Sequence, residues 1–267
     1  MLNFTIVKPI KIRTRKPVEE FPSEISSEGV LKASNKLCPA RAQPLIPKIF
    51  HHIWIDFGTG KKPTEFHQNL TKRLLDLHPG WEHILWHESE IIEQIKEHVP
   101  FFLSTFLSYK RPIKRHNSAR LVILYAMGGV YLDHDYIPLK SIEPALGSCK
   151  TIFISEKYEG AFVPTNSLMG SVAKNPFFSF ALDKMTTPEY VRINSGATGV
   201  RQFGMALKAF IKKERPTRFK LYHPKFFNPF SWDEGAERIK KYTLEDVKSR
   251  FPDCIFYQFF EAAWLNL

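Results

Sequence analysis

Residues 117 to 137 read NSARLVILYAMGGVYLDHDYI, and this run limits the folds open to the chain more than any other. Its first half has helical spacing, with Leu121, Leu124 and Tyr125 placed to pack. A glycine pair follows, then the short apolar run GVYL, read as a buried strand, then two aspartates one residue apart. Gly128 suits the end of a helix, and two glycines together allow a tight helix-to-strand turn and a close approach to a ligand. A helix that folds straight back into a strand implies layered helix and sheet. Acids just past the end of that strand lie where open α/β sheets bind ligands.

The rest of the chain alternates in the same way. IPKIFHHIWI, from Ile46, reads as a buried strand bounded by proline and by DFGTGKKP. Residues 64 to 77 form a helix with Phe66, Leu70, Leu74 and Leu77 on one side. WEHILWH is a second strand and ESEIIEQIKEH a helix with early acids. Further strands are expected at TIFIS, RFKLYH and CIFYQF, and helices near 176–185 and 198–213. This order argues for a single α/β domain over 45–267, a mostly parallel sheet flanked by helices. At 267 residues and 43% hydrophobic, the chain supports one large core. Residues 1–44, with scattered charge and several prolines, read as a flexible basic arm. Its cluster Lys11, Arg13, Arg15, Lys16 is a solvated face or a contact for an acidic membrane.

The net charge of +11 points to anionic partners: a nucleotide sugar, a phospholipid surface or nucleic acid. No aromatic–basic motif of the kinds that read RNA or DNA is present, so nucleic acid is set aside. No apolar run has spanning length, and the start lacks the apolar core of a secretory signal. Cys38, Cys149 and Cys254 are odd in number and far apart. A soluble protein of a reducing compartment, without disulfides, is expected.

In an extended segment Asp133 and Asp135 project to one side and His134 to the other. Two carboxylates on one side repel unless a cation joins them, and oxygen ligands suit Mn²⁺ or Mg²⁺. The bland reading is a solvated turn. Three rivals are weaker. A dehalogenase-type phosphatase loop would need Thr or Val where Ile137 stands. Asp56-Phe57-Gly58 spells a kinase tripeptide without a glycine-rich loop or HRD segment. His83 and His87 have zinc-ligand spacing, but on a strand and without HExxH, so they read as ordinary histidines.

The context is more specific than the acid pair. IPKIFHHIW, HPGWEHILW and RLVILYAMGGVYLDHD, in that order, resemble the DxD sugar-transferases of glycosyltransferase family 32. PFFLSTFLSYKRPIKRHNSARLVILYAMGGVYLDHD and NSLMGSVAKNPFF are most similar to the fungal inositol-phosphoceramide mannosyltransferases. The resemblance implies a GT-A fold of Rossmann-like layering, a nucleotide-sugar donor, Mn²⁺ or Mg²⁺, and transfer with retention. It implies that Asp133 and Asp135 hold the metal, that Arg120 contacts the donor, and that Trp54 stacks on the base. Tyr131, which shares a side with the acids, is a candidate for donor phosphate or ribose, and Asn166 for a sugar pocket. Ser195 and Gly196, in SGAT, stand where the family has a TGP-like loop. Two positions depart from the family: Asn117 replaces an aspartate, and Gln258, six residues before Trp264, replaces a metal-binding histidine.

The expected activity is therefore metal-dependent transfer of a hexose, mannose favoured, from GDP-mannose or a UDP-sugar to a glycolipid, glycan or protein. A non-catalytic nucleotide- or lipid-binding relative and a metal-dependent phosphohydrolase stand as alternatives. The expected setting is cytoplasmic, with peripheral membrane contact or delivery as an effector.

Overall fold

The computed structural model describes residues 38, 43–55, 60, 62–158, 161–187, 198–230 and 241–259. The strands are β1 Ile49–Ile53, β2 Glu82–Trp86, β3 Gly129–Leu132, β4 Tyr136–Pro138, β5 Thr151–Tyr158, β6 Ala161–Ser171, β7 Phe219–Tyr222 and β8 Phe256–Gln258. Six of them form one sheet in the order β2-β1-β3-β6-β5-β7, while β4 and β8 pair separately. β1 runs parallel to β2 and β3, and β5 parallel to β7; only β6 runs against its neighbours β3 and β5. The mostly parallel sheet expected of the GT-A type is present, with one reversed strand inside it.

That strand escapes a sequence reading because Pro164, Thr165, Asn166 and Ser167 interrupt its apolar pattern. Its register explains them. Phe153 pairs with Met169 but the next residue, Ile154, pairs with Thr165, so Asn166, Ser167 and Leu168 have no partner on β5. Such irregularities turn side chains out of a sheet, often beside a site.

The helices are α1 Glu65–Asp76, α2 Glu88–His98, α3 Leu103–Ser108, α4 Pro112–Met127, α5 Glu143–Leu146, α6 Pro176–Met185, α7 Thr198–Glu214, α8 Pro224–Phe227 and α9 Leu244–Arg250. One sheet face packs on α2, α4, α6 and α7 around Phe153, Phe177, Phe178 and Phe203. The other packs on α1, α5 and α8 around Phe50, Leu74, Trp81 and Phe227. In α4 every residue from Asn117 to Leu124 is buried. A helix enclosed on all sides needs no polar stripe, so a polar residue within it calls for a buried partner.

The glycine pair acts as its position suggested. Gly128 and Gly129 have φ of 71° and 87°. A Cβ on Gly129 would lie 2.6 Å from His51 Nε2 and 2.7 Å from the Ile49 carbonyl, and one on Gly128 would lie 2.6 Å from the Ala173 nitrogen. The second glycine thus lets β3 lie against β1, while the first ends α4.

One expectation is overturned. Cys38 and Cys149 form a disulfide, their Cα atoms 5.0 Å apart across 111 residues of sequence. Distance along the chain says nothing about distance in space, and both side chains belong to the core around Phe50. By loop entropy such a link stabilises by about 4–5 kcal/mol. Cys254 is free and buried. Among the described residues no helix is long and apolar enough to cross a membrane.

Candidate active site

β3 ends at Leu132, and residues 133–135 turn into β4 rather than continuing extended, with the Asp133 carbonyl accepting from the Tyr136 amide at 3.3 Å. This corrects the extended geometry read from sequence. The turn separates the partners of the two acids. Asp133 Oδ1 accepts from Arg120 Nη2 at 2.9 Å and from the Tyr131 hydroxyl at 2.5 Å, and the Asp133 amide donates to the Ser167 carbonyl at 2.9 Å. Asp135 accepts from Gln258 Nε2 at 3.1 Å and 3.4 Å, one contact to each carboxylate oxygen. Burial raises the Asp133 pKa; Arg120 and the Tyr131 hydrogen bond pull it back only in part.

Arg120 is the hub. Besides Asp133, its Nη1 donates to the Asn166 carbonyl at 3.2 Å and to Asn166 Oδ1 at 3.0 Å. Asn166 Nδ2 donates in turn to Asn117 Oδ1 at 3.4 Å. The guanidinium lies 5.1 Å from the centre of the Tyr131 ring. Burial works against its charge, but Asp133, Tyr131 and Asp135 together raise its pKa. Arg120 Nε is buried with no hydrogen-bond partner among the described residues. A buried, fixed cation with an idle N–H is suited to meet an anionic ligand.

Sequence reasoning gathered Asn117, Arg120, Tyr131, Asp133, Asp135, Asn166 and Gln258, and the structure links them in two hydrogen-bonded groups around one turn. It missed Ser167 and Tyr136, whose hydroxyls lie 2.8 Å apart, both buried beside Asp133. The skip in the β6 register reveals Ser167, and Tyr136 comes beside it only through the turn after Leu132. Trp54 follows β1 on the other side and meets the rings of His134 at 5.5 Å and His67 at 5.6 Å edge-on. Ser195, Gly196 and Trp264, and most of the N-terminal arm, lie outside the described residues.

His134 points away from Asp133 as expected, into a group of imidazoles. It stacks on His52 with centroids 4.2 Å apart, and His52 Nδ1 shares a 2.8 Å hydrogen bond with His83 Nε2. His67, His83 and His134 border a cavity of about 460 Å³ between α1 and β2. Burial pushes His134 down to about 3, His52 well below its usual value, and His83 down as well. His87 contacts the Trp54 carbonyl at 3.1 Å while His83 faces His52, so the two do not act together. Among the described residues no group of three or more His, Cys, Asp or Glu side chains is arranged to hold a metal.

The geometry defines an α/β protein with an acid–arginine site at a strand end. The family model described as "Glycosyltransferase sugar-binding region containing DXD motif" matches residues 64–156. The mannosyl phosphorylinositol ceramide synthase SUR1 of Saccharomyces cerevisiae is 32% identical over 210 residues, 73% of this chain and 52% of the relative. Inositol phosphoceramide mannosyltransferase 3 of Schizosaccharomyces pombe is 37% identical over 101 residues, 38% of this chain and 27% of the relative. The uncharacterized glycosyltransferase L373 of Acanthamoeba polyphaga mimivirus is 27% identical, across 69% of this chain and 74% of that one. The chain spans about half the length of the first two yeast relatives it matches. Among solved structures, the PaToxG glycosyltransferase aligns with a TM-score of 0.46 at 20% identity, over 71% of this chain and 77% of that chain. Residues 64–156 are a DXD glycosyltransferase sugar-binding region, and the chain around them is similar in sequence to these glycosyltransferases.

Proposed function

We propose that this chain is a retaining, metal-dependent hexosyltransferase that takes mannose from GDP-mannose, or a hexose from a UDP-sugar, and passes it to a glycolipid, glycan or protein hydroxyl. The observation that carries the reading is Arg120: a buried guanidinium, tied to Asp133 and Asn166, with one N–H left over at the tip of β3. The names of the yeast relatives support mannose and an inositol-phosphoceramide acceptor.

The donor set at the turn is oxygen-only: the carboxylates of Asp133 and Asp135 and the amide oxygen of Gln258. It fits a hard divalent ion of the Mn²⁺ or Mg²⁺ kind, which keeps several waters and needs few protein ligands. Asp135 and Gln258 are the better-placed pair, because Asp133 already answers the charge of Arg120. A bound ion would supply positive charge against a diphosphate. Arg120 adds fixed charge in a water-poor setting, where it stabilises a departing diphosphate at no cost in reorganisation. Asn166 and Asn117 hold Arg120 in place, and Tyr131 fixes the rotamer of Asp133. Trp54 offers a ring for the base. The acceptor hydroxyl attacks the anomeric carbon from the leaving-group side and gives its proton to the departing phosphate.

The disulfide favours an oxidising setting over the cytoplasm. The rival reading, nucleotide binding without transfer, draws on Asn117 and Gln258, which replace the acid and the imidazole of the family pattern. One experiment separates the two: incubation with a panel of nucleotide sugars and Mn²⁺, scored for release of nucleoside diphosphate. Release that vanishes when Asp133 and Asp135 are both changed to Asn supports transfer; intact donor despite measurable binding overturns it.

A further inference from the structure

We propose that the segment from Phe101 to Lys114 is a docking surface for an anionic lipid bilayer. Phe101 and Leu107 are each 50% exposed, two of the three large apolar side chains left open among the described residues. Both belong to one helical stretch, the 3₁₀ turn Pro100–Phe102 running into α3. Phe102 and Phe106 are fully buried and anchor it to the core, so Phe101, Ser104, Leu107 and Ser108 face outward. A phenylalanine and a leucine left half-open on one helical face offer apolar surface to a partner.

Charge decides what the face meets. From Val99 to Leu132 the sequence has no Asp or Glu, yet it has Lys110, Arg111, Lys114, Arg115 and Arg120. Arg115 is answered by Glu88 and Arg120 by Asp133. Lys110 and Arg111 are exposed, and no ion pair joins them to an acid among the described residues. Lys114 lies over the Tyr109 ring at 5.6 Å. A second copy of this face would set basic groups against basic groups. An acidic membrane satisfies both features: the apolar side chains enter the headgroup boundary while the cations meet lipid phosphates and carboxylates.

The position is apt for the transferase reading, on which the biological use of this surface rests. α4 turns back through the glycine pair into β3, so its N-terminal end lies at the end of the sheet that holds Asp133. At 1.5 Å per residue, Lys114 stands about 9 Å along the helix axis from Arg120, and Arg111 about 14 Å. The basic end of this surface therefore stands about two to three helical turns from Arg120.

The test uses the full chain sedimented with vesicles of phosphatidylcholine alone or mixed with phosphatidylserine, at rising salt. Wild type should bind the acidic vesicles and release them as salt rises. Phe101→Ser with Leu107→Ser, and separately Lys110→Glu with Arg111→Glu, should each lower partitioning by about tenfold or more. A variant with Lys11, Arg13, Arg15 and Lys16 changed to Glu should keep most of the binding. Thermal melts establish that all variants are folded, and cleavage of soluble donor should be unchanged in the first two. Equal binding by folded variants, loss of binding only in the N-terminal variant, or no binding by wild type at low salt overturns the proposal. If vesicle binding follows the pattern while no donor is cleaved, the transferase reading fails and the docking surface stands; the converse result sinks the docking surface alone.

Discussion

On the α4 side of the 133–135 turn, Asp133 meets a guanidinium and a phenol, and the guanidinium is braced by two asparagines. One residue along, on the α1 side, His134 meets the rings of His52, His67 and Trp54. The first side is built around a fixed ion pair, the second around aromatic rings, of which burial disfavours the charged forms of His52 and His134. The two sides should respond differently to mutation and to acid.

The largest expected effect comes from removing the cation. Arg120→Met leaves the half-buried Asp133 without its cation, at a cost of up to about 3 kcal/mol in stability, and lowers donor turnover by roughly 100-fold or more. Urea denaturation and nucleoside diphosphate release measure the two losses. A variant as stable as wild type would mean that the ion pair does not organise that side.

Acid is the matching probe of the other side. Burial holds His134 at about 3 and His52 well below its usual value. A base with a lowered folded pKa favours the folded state fully above about pH 6.5. Stability is then lost as pH falls toward 4, because the unfolded chain takes up protons that the folded one refuses. Each such histidine contributes about 1.4 kcal/mol per pH unit in that window. Melts between pH 7 and 5 should show the decline, and His52→Phe should make it shallower. The raised pKa of Asp133 works in the opposite sense, above its ordinary value of 3.8, and offsets part of the loss only near the acid end.

Asp135 should separate function from folding. Asp135→Asn is expected to reduce turnover by roughly 100-fold with Mn²⁺ present while moving stability by less than about 1 kcal/mol, since Gln258 still has an amide to bond. Smallest is Tyr131→Phe, which removes one hydrogen bond to Asp133 and should cost about 1–2 kcal/mol in a urea melt, with turnover falling only modestly. A larger effect on turnover than on stability would make Tyr131 a donor contact rather than a brace.

The elements with clean periodicity were legible in sequence: the strand at GVYL, helices near 176–185 and 198–213, and the acids at the strand end. Arg120 was legible only through family resemblance, because nothing in helical spacing distinguishes it from a surface arginine. Four features were hidden for reasons of geometry. β6 carries its polar residues where the register skips. The Cys38–Cys149 link depends on tertiary approach. The histidines at 52, 67, 83 and 134 come from four elements or turns and meet only once the sheet forms. The turn after Leu132, which hands Asp135 to Gln258, depends on β8, more than a hundred residues away in the chain.

Gly199 carries a consequence of its own. A Cβ there would stand 2.7 Å from Asn117 Nδ2 and 2.9 Å from its Oδ1, so the start of α7 leaves that amide no slack. An alanine at 199 would act as a wedge against Asn117 without altering a single polar atom. Steric pressure from α7 is therefore a dial on the arginine's footing, and drift that shifts the first turn of that helix would reach Arg120 through Asn117 and Asn166.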